Sequence, residues 1–185
     1  MLVETEIKAW VDKIKTLHLP RYDELPELEL YLEQVLIYVN NTIFDIFSLN
    51  NHQNEEIVTP SMINNYVKNK LMAPPNKKKY RRSHIACIIA ITILKQVGSL
   101  TDVSNGIMSL TNAIGGSEAY NTFIDFLESA LRASASELNN KPDPNYYLRP
   151  VTLDLLPLKK ATIAFTSVLL SRYLLSKQTQ IKKEI

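Results

Sequence analysis

The segment Thr59–His84, TPSMINNYVKNKLMAPPNKKKYRRSH, combines amide, hydroxyl and basic side chains at spacings that suit contact with a polyanion. If a helix begins at Pro60, four polar residues recur at i, i+3, i+4 and i+7 and form one stripe along it: Ser61, Asn64, Asn65 and Lys68. Asparagine is a poor residue for a helix interior, because its side chain competes for backbone hydrogen bonds. An asparagine amide can, however, both donate to and accept from the edge of an adenine in the major groove of duplex DNA. The stripe therefore predicts direct contact with bases.

A basic strip follows the double proline Pro74-Pro75. It holds five cations and a tyrosine within six residues: Lys77, Lys78, Lys79, Tyr80, Arg81 and Arg82. Lys and Arg side chains bind phosphate oxygens, and a tyrosine hydroxyl is a further donor to the same groups. The two pieces together predict a recognition helix over residues 60–71 in the major groove and a basic wing over residues 76–82 on the phosphates. A helical protein-interaction or RNA-binding module that uses the same basic segment stays open as the alternative.

Charge is distributed unevenly along the chain, whose formal net charge is only +2. Residues 57–101 contain eight Lys and Arg but no Asp or Glu, while the rest of the chain contains 13 basic and all 19 acidic residues. Fixed cations that displace phosphate counterions bind any polyanion without recognising its sequence. The segment is therefore a positive island on an acidic body, and its charge alone would suit any polyanion. Together with the asparagine stripe, it makes double-stranded DNA the expected partner.

Apolar residues recur at helical spacing through most of the chain, and four glycines among 185 residues leave little for hairpins. We therefore expect an all-α fold. Pro26 and Thr59-Pro60 suit helix starts, since proline fits the first turn and threonine caps the free amides. Residues 139–150 are expected to be a loop, held by Tyr146 and Tyr147. The predicted helices cover about residues 4–17, 27–49, 60–71, 83–97, 100–114 and 117–138, with a last long helix after Pro157.

Enzymatic and metal-binding functions find no support in the sequence. The three histidines, His18, His52 and His84, are far apart, and none has a second ligand at zinc spacing. A glycine-rich phosphate-binding motif is absent from the sequence. We expect no catalytic residue, no metal and no cofactor.

The apolar segments predict a cytoplasmic protein. The N-terminal MLVETEIKAWVDKIKTL is amphipathic rather than a secretory signal, and ATIAFTSVLLSRYLL falls short of the roughly 20 apolar residues of a membrane span. The single cysteine, Cys87, stands in the apolar run IACIIAITIL and is expected to be a buried, reduced thiol.

Residues 19–103 resemble a family of uncharacterised proteins from Gram-positive bacteria, the YkrK-like domain-of-unknown-function family. The resemblance is carried by the blocks LPRYDELPELELYLEQV, MINNYVK and LKQV. It implies membership of a family whose function is itself obscure.

The segment after Thr59 also resembles, more distantly, the winged-helix head of mercury-resistance-type (MerR-like) transcriptional regulators. The order and spacing of nine residues carry this resemblance: Thr59, Ile63, Tyr66, Leu71, Met72, Pro74, Pro75, Tyr80 and Ile85. Asn64 replaces the usual arginine of the recognition helix, Lys70 replaces the glycine that ends it, and the wing is short. The stretch of residues 50–58 is also long for the turn of a helix-turn-helix, which normally takes 3–4 residues.

This second resemblance implies a transcriptional regulator that binds duplex DNA. The expected architecture is a winged-helix-like domain over residues 1–99, followed by a helical bundle over residues 100–185 for dimerisation or effector binding, with the option that both pack as one domain. A homodimer and an unidentified small-molecule effector belong to the same expectation.

Overall fold

The computed structural model describes residues 4–49, 56–138 and 144–183, and these are mostly helical. A short 3-10 helix covers Tyr22–Glu24, and two strands, β1 (Leu30–Tyr31) and β2 (Lys79–Tyr80), pair antiparallel with Leu30 opposite Tyr80. The expectation of a helical fold is confirmed. The helices of the described residues are α1 (Glu4–Thr16), α2 (Leu32–Ser48), α3 (Pro60–Lys68), α4 (Arg82–Leu94), α5 (Leu100–Ile114), α6 (Gly116–Leu138), α7 (Pro144–Leu148) and α8 (Leu156–Lys183).

Helix α6 lies at the centre of the fold and packs against α1, α4, α5 and α8. Helix α4 is apolar on nearly every side, as its sequence predicts, and ten of its 13 residues are buried. The buried side chains form one continuous core from α1 to α8, in which the rings of Trp10 and Tyr173 stack with centroids 5.5 Å apart. The chain between residues 57 and 101 is therefore part of the helical body, since α4 and the inner faces of α3 and β2 belong to its core.

The start of α2 corrects the sequence prediction. Pro26 was expected in the first turn of a helix from residue 27, but the helix begins at Leu32. Leu30 and Tyr31 are extended instead, because they pair with β2 far along the chain. The Tyr31 amide then donates to the Gln34 side chain at 2.9 Å and starts the helix.

Further boundaries differ from the sequence prediction, among them the end of α4 at Leu94 and the start of α8 at Leu156. Helix α7 lies inside the predicted loop, of which residues 139–143 fall outside the described residues. The Tyr146 hydroxyl donates to the Phe126 carbonyl at 2.9 Å and ties this short helix to α6. Helix α6 begins at Gly116 rather than after a Ser117 cap, because Gly115 adopts φ 85° and turns the chain directly from α5 into α6.

No helix among the described residues is both long and apolar enough to cross a membrane.

Candidate nucleic-acid interface

Helix α3 begins where the sequence predicts and ends earlier. The Thr59 hydroxyl accepts a hydrogen bond of 3.3 Å from the Met62 amide and caps the helix. The helix ends at Lys68 rather than residue 71 because Lys70 adopts a left-handed conformation, with φ 57°. The Leu71 amide then donates to the Tyr66 carbonyl at 2.9 Å and the Lys70 amide to the Val67 carbonyl at 3.0 Å. This pair of bonds is a Schellman motif, whose left-handed position favours glycine and here holds a lysine.

The predicted polar stripe of α3 is exposed. Ile63 and Tyr66 on the opposite side are buried in the core. All four stripe residues face solvent: Ser61, Asn64, Asn65 and Lys68. The two asparagines nevertheless differ, since the Asn65 side-chain oxygen already accepts a hydrogen bond of 2.6 Å from the Asn69 amide group. The Asn64 side-chain amide forms no hydrogen bond with another described residue, so it can bind a partner without breaking an existing contact.

Helix α3 runs antiparallel to α4, as contacts near its two ends show. At one end, the Lys95 ammonium lies 3.8 Å from the Met62 sulfur. At the other, the Cys87 sulfur lies 3.8 Å from the Leu71 carbonyl oxygen. The carboxyl end of α3, which carries Lys68, therefore points toward the amino end of α4, where β2 and the hairpin before it are attached.

The side chain of Asn40 on α2 fixes the position of residues 57 and 58, which lead into α3. Its oxygen accepts hydrogen bonds from the Ile57 and Val58 amides, at 3.0 and 2.9 Å. Its nitrogen donates to the Val58 carbonyl at 2.9 Å. One side chain thus replaces a strand partner for two residues. The sequence offered no signal for this role, because Asn40 stands in an ordinary helical pattern.

The basic wing is a two-residue β-hairpin turn. The amides of Asn76 and Lys79 donate to each other's carbonyl oxygens at 3.1 and 2.8 Å. The residues between them, Lys77 and Lys78, have φ 47° and 64° and are both exposed. Positive φ at both central positions defines a type I′ turn, which strongly prefers Asn-Gly. Two lysines occupy this turn at a conformational cost.

The base of the hairpin is held by aromatic contacts. The Lys79 ammonium lies 5.6 Å from the centre of the Tyr31 ring. Tyr80, expected on a phosphate, is only 4% exposed, and its ring packs edge-on against His84 with centroids 5.7 Å apart. Because β2 turns this ring inward, Tyr80 anchors the hairpin and is corrected from a ligand-binding to a core residue.

The two arginines after β2 are tied to the segment before β1. The Arg81 side chain donates to the Glu29 carboxylate at 2.8 Å and remains 60% exposed. The Arg82 side chain donates to the Leu25 carbonyl at 3.1 Å and lies 3.6 Å from the Asp23 carboxylate. Arg82 therefore has its main contacts within the protein. Among the described residues, four lysines of the region are exposed and have no ion pair: Lys68, Lys70, Lys77 and Lys78.

Lys70 was not among the residues predicted for the site, although it is exposed at the end of α3. The sequence did contain a sign of its importance, because Lys70 stands where the resemblance leads us to expect a glycine. No group of three or more His, Cys, Asp and Glu side chains that could hold a metal ion occurs in the part of the chain that the structure describes.

Fold and surface together define a helical protein that presents a polar helix face and a cationic hairpin on one rigid body. The model of a family described as Domain of unknown function (DUF1836) matches residues 20–124, more than half of the chain, and the protein belongs to that family. The matched segment includes α2, α3, the hairpin, α4, α5 and the first part of α6. No curated protein and no solved structure matches the chain.

Proposed function

We propose that this protein is a DNA-binding transcriptional regulator of winged-helix, MerR-like type. In this proposal α3 enters the major groove and the hairpin of Asn76–Lys79 contacts the flanking phosphates. The YkrK-like and MerR-like resemblances of the sequence belong to the same proposal. A cytoplasmic location follows if it is correct.

The observation that carries the proposal is the pair of lysines at the hairpin tip. A left-handed conformation costs an ordinary residue about 1–2 kcal/mol, which glycine avoids. Lys77 and Lys78 both adopt it, and both side chains are exposed. Strained backbone conformations concentrate at binding sites, where the side chain is needed more than the local stability. Two cations held at the end of a short, rigid turn are suited to phosphate oxygens.

The dimensions of α3 are compatible with groove binding. An α-helix with its side chains is about 10–12 Å in diameter and the major groove is about 12 Å wide, so α3, which is about 14 Å long, fits in the groove. The side chains of Ser61 and Asn64 are on the exposed face and form no hydrogen bond with a described residue. Asn64 is therefore the residue we assign to base recognition. Asn65 must first break its hydrogen bond with the Asn69 side chain, so we expect it to contribute less to base recognition.

The number of free cations sets the expected salt dependence. If the four exposed lysines without ion pairs each neutralise one phosphate, raising salt from 50 to 200 mM should weaken binding about 10²-fold per subunit. Arg81 would add to this only by leaving Glu29. A steeper dependence would indicate that two subunits bind together.

A homodimer is part of the proposal, because groove-binding helices usually contact half-sites about 34 Å apart through two-fold symmetry. Sedimentation of the protein with and without duplex DNA measures the subunit number.

Selection of binding sites from random duplex DNA tests the proposal. We expect an enriched motif and binding that falls with salt as above. Folded protein that enriches no motif would overturn specific regulation. Equal binding of single-stranded RNA and duplex DNA would instead favour the alternative, an RNA-binding or protein-interaction module that uses the same basic segment.

A further inference from the structure

A cavity of about 1110 Å³ lies between the segment of residues 70–76, α4, α5, α6 and the start of α8. Its volume is slightly above the usual range for small-molecule sites, about 300–1,000 Å³. The DNA-binding proposal uses only residues of its lining near the hairpin, Lys70, Asn76 and Arg81. The cavity is open to solvent on the side of Gly106 and Ser109, so a ligand can enter it.

The cavity wall is mainly apolar. Side chains from three helices contribute to it: Leu94 and Cys87 from α4, Ile107 and Leu110 from α5, and Phe123 from α6. Burial raises the pKa of Cys87 to about 11, so its thiol is uncharged near neutral pH. The wall therefore favours an apolar ligand body.

Two polar side chains of the wall have unused hydrogen-bonding atoms. His84 is 8% exposed and Tyr120 is 5% exposed. The His84 Nε2 and the Tyr120 hydroxyl are buried without a hydrogen-bond partner among the described residues. Buried polar atoms normally have a partner, and leaving one unpaired is costly. Each is an unpaired polar atom next to the cavity, and a ligand reaches it when the neighbouring side chains shift.

The chemistry of His84 defines what that ligand must offer. The His84 Nδ1 accepts a hydrogen bond of 3.0 Å from the Arg81 amide, so in the neutral ring the proton is on Nε2. The unused atom is therefore a donor, and the ligand must bring an acceptor. The charged residues of the wall include both signs, with Lys70 and Arg81 opposed by Asp102 and Asp154, which gives no preference for a charged ligand.

We propose that this cavity is a binding site for an uncharged, largely apolar small molecule whose carbonyl or ether oxygen accepts a hydrogen bond from the His84 Nε2. The bound molecule would fill the space between α5 and the segment that joins α3 to the hairpin. An effect of the ligand on DNA affinity is a consequence that rests on the proposed function, whereas ligand binding itself does not.

Fluorescence titration with Nile red tests the site without DNA. Nile red is an uncharged dye with a flat apolar ring system and one carbonyl acceptor. We expect saturable binding at one site per chain, with a dissociation constant on the order of 1–10 μM. Absence of saturable binding to the folded protein would overturn the proposal.

Matched variants separate this site from surface adsorption. Gly106 is an exposed residue of the cavity lining, and a Cβ atom added there would meet no other atom within 4 Å, so Gly106→Phe should place a ring at the open side of the cavity without disturbing α5. We expect it to weaken dye binding at least about tenfold. Asn105→Phe adds the same ring to the neighbouring exposed residue, which is not part of the wall, and should leave binding unchanged. Equal effects of the two variants would contradict the assignment.

The role of His84 has its own variant. Glutamate at this third helical position can still accept the hydrogen bond from the Arg81 amide, but it has no N–H to donate. We expect His84→Glu to remain folded, with a thermal unfolding temperature no lower than that of Gly106→Phe. Its affinity for Nile red should be at least about tenfold weaker than that of the natural chain. If His84→Glu is folded and binds the dye as the natural chain does, the histidine is not the donor and the proposal fails. Because DNA is absent from these titrations, their outcome is independent of the site-selection experiment.

Discussion

Asn76 and Lys79 exchange two backbone hydrogen bonds, of 3.1 and 2.8 Å, across a turn in which both intervening residues are lysines with positive φ. The turn is the shortest that can reverse a β-strand, and its tip carries two exposed charges. At these two residues the lysine charge is gained at the expense of stability. Substitutions can therefore change the stability of the turn and its charge independently.

Replacing Lys77 by Asn and Lys78 by Gly should stabilise the protein and weaken DNA binding. The pair Asn-Gly suits a type I′ turn, so we expect the free energy of unfolding to rise by about 1–2 kcal/mol. Loss of two phosphate contacts should lower the slope of log affinity against log salt by about 2. Urea unfolding and salt titration measure the two effects. The double change to Arg is the control, since it keeps both charges and the unfavourable backbone, and it should alter neither quantity appreciably.

Glycine substitutions at Lys70 and Lys68 should change stability in opposite directions. Lys70 is left-handed, so Lys70→Gly should raise the free energy of unfolding by about 1 kcal/mol. Lys68 is the last helical residue of α3, so Lys68→Gly should lower it by about 0.5–1 kcal/mol. Both remove one charge. Urea unfolding of the two variants checks the signs, and a loss of stability in both would mean that Lys70 does not take the left-handed conformation in solution.

Asn64 and Asn65 should contribute unequally to base recognition. Asn64→Ala removes an unpaired amide from the exposed face and should flatten the preference at one base pair, with a loss of about 1–3 kcal/mol for the selected site. Asn65→Ala should have the smaller effect, because its side-chain oxygen is already bound to Asn69. Binding of single-base variants of the selected site measures both. Equal weakening on every sequence would show that neither amide recognises a base.

Asn40 should be a main determinant of the position of α3. Removing its side chain leaves the Ile57 and Val58 amides without their acceptor, so Asn40→Ala should lower the free energy of unfolding by about 2–3 kcal/mol. Asn41 is its exposed neighbour on the same helix, and Asn41→Ala should change stability by less than about 0.5 kcal/mol. Hydrogen exchange of the residue 57 and 58 amides provides the local measurement. Similar protection in both variants would contradict this role.

Acid should destabilise the protein partly through Glu128. Burial alone would raise the pKa of this carboxylate, but hydrogen bonds from Arg21 and the Leu19 amide outweigh it and hold the pKa below its ordinary value. A lowered folded-state pKa means that the stabilisation is complete above the unfolded-state value, about 4.3, and is lost as pH falls through the folded-state value. Unfolding free energy should therefore drop between about pH 5 and pH 3 more steeply in the natural protein than in Glu128→Gln. Identical pH profiles would exclude this contribution.

The sequence predicted the features that depend on nearby residues. The spacing of apolar side chains located the helices, and the Thr59 cap and the exposed stripe of α3 followed from positions only a few residues apart. The absence of acidic residues from 57 to 101 likewise needed no structure. Capping and periodicity are local properties: the Thr59 cap and the helical pattern were confirmed, whereas the helix start at Pro26 and the cap at Ser117 were not.

Only the tertiary structure decided which of the predicted residues are free. Tyr80 is turned into the core because Lys79–Tyr80 pairs with Leu30–Tyr31, about fifty residues earlier along the chain. The Arg82 side chain donates to the Leu25 carbonyl, 57 residues away, and the Glu128 carboxylate accepts a hydrogen bond from the Leu19 amide, 109 residues away. Such pairings depend on which segments the core brings together, which spacing within one segment does not encode. The helix, its polar face and the charge were therefore determined by the sequence alone, whereas the left-handed lysine turn, the buried tyrosine and the cavity beside His84 were decided by long-range packing.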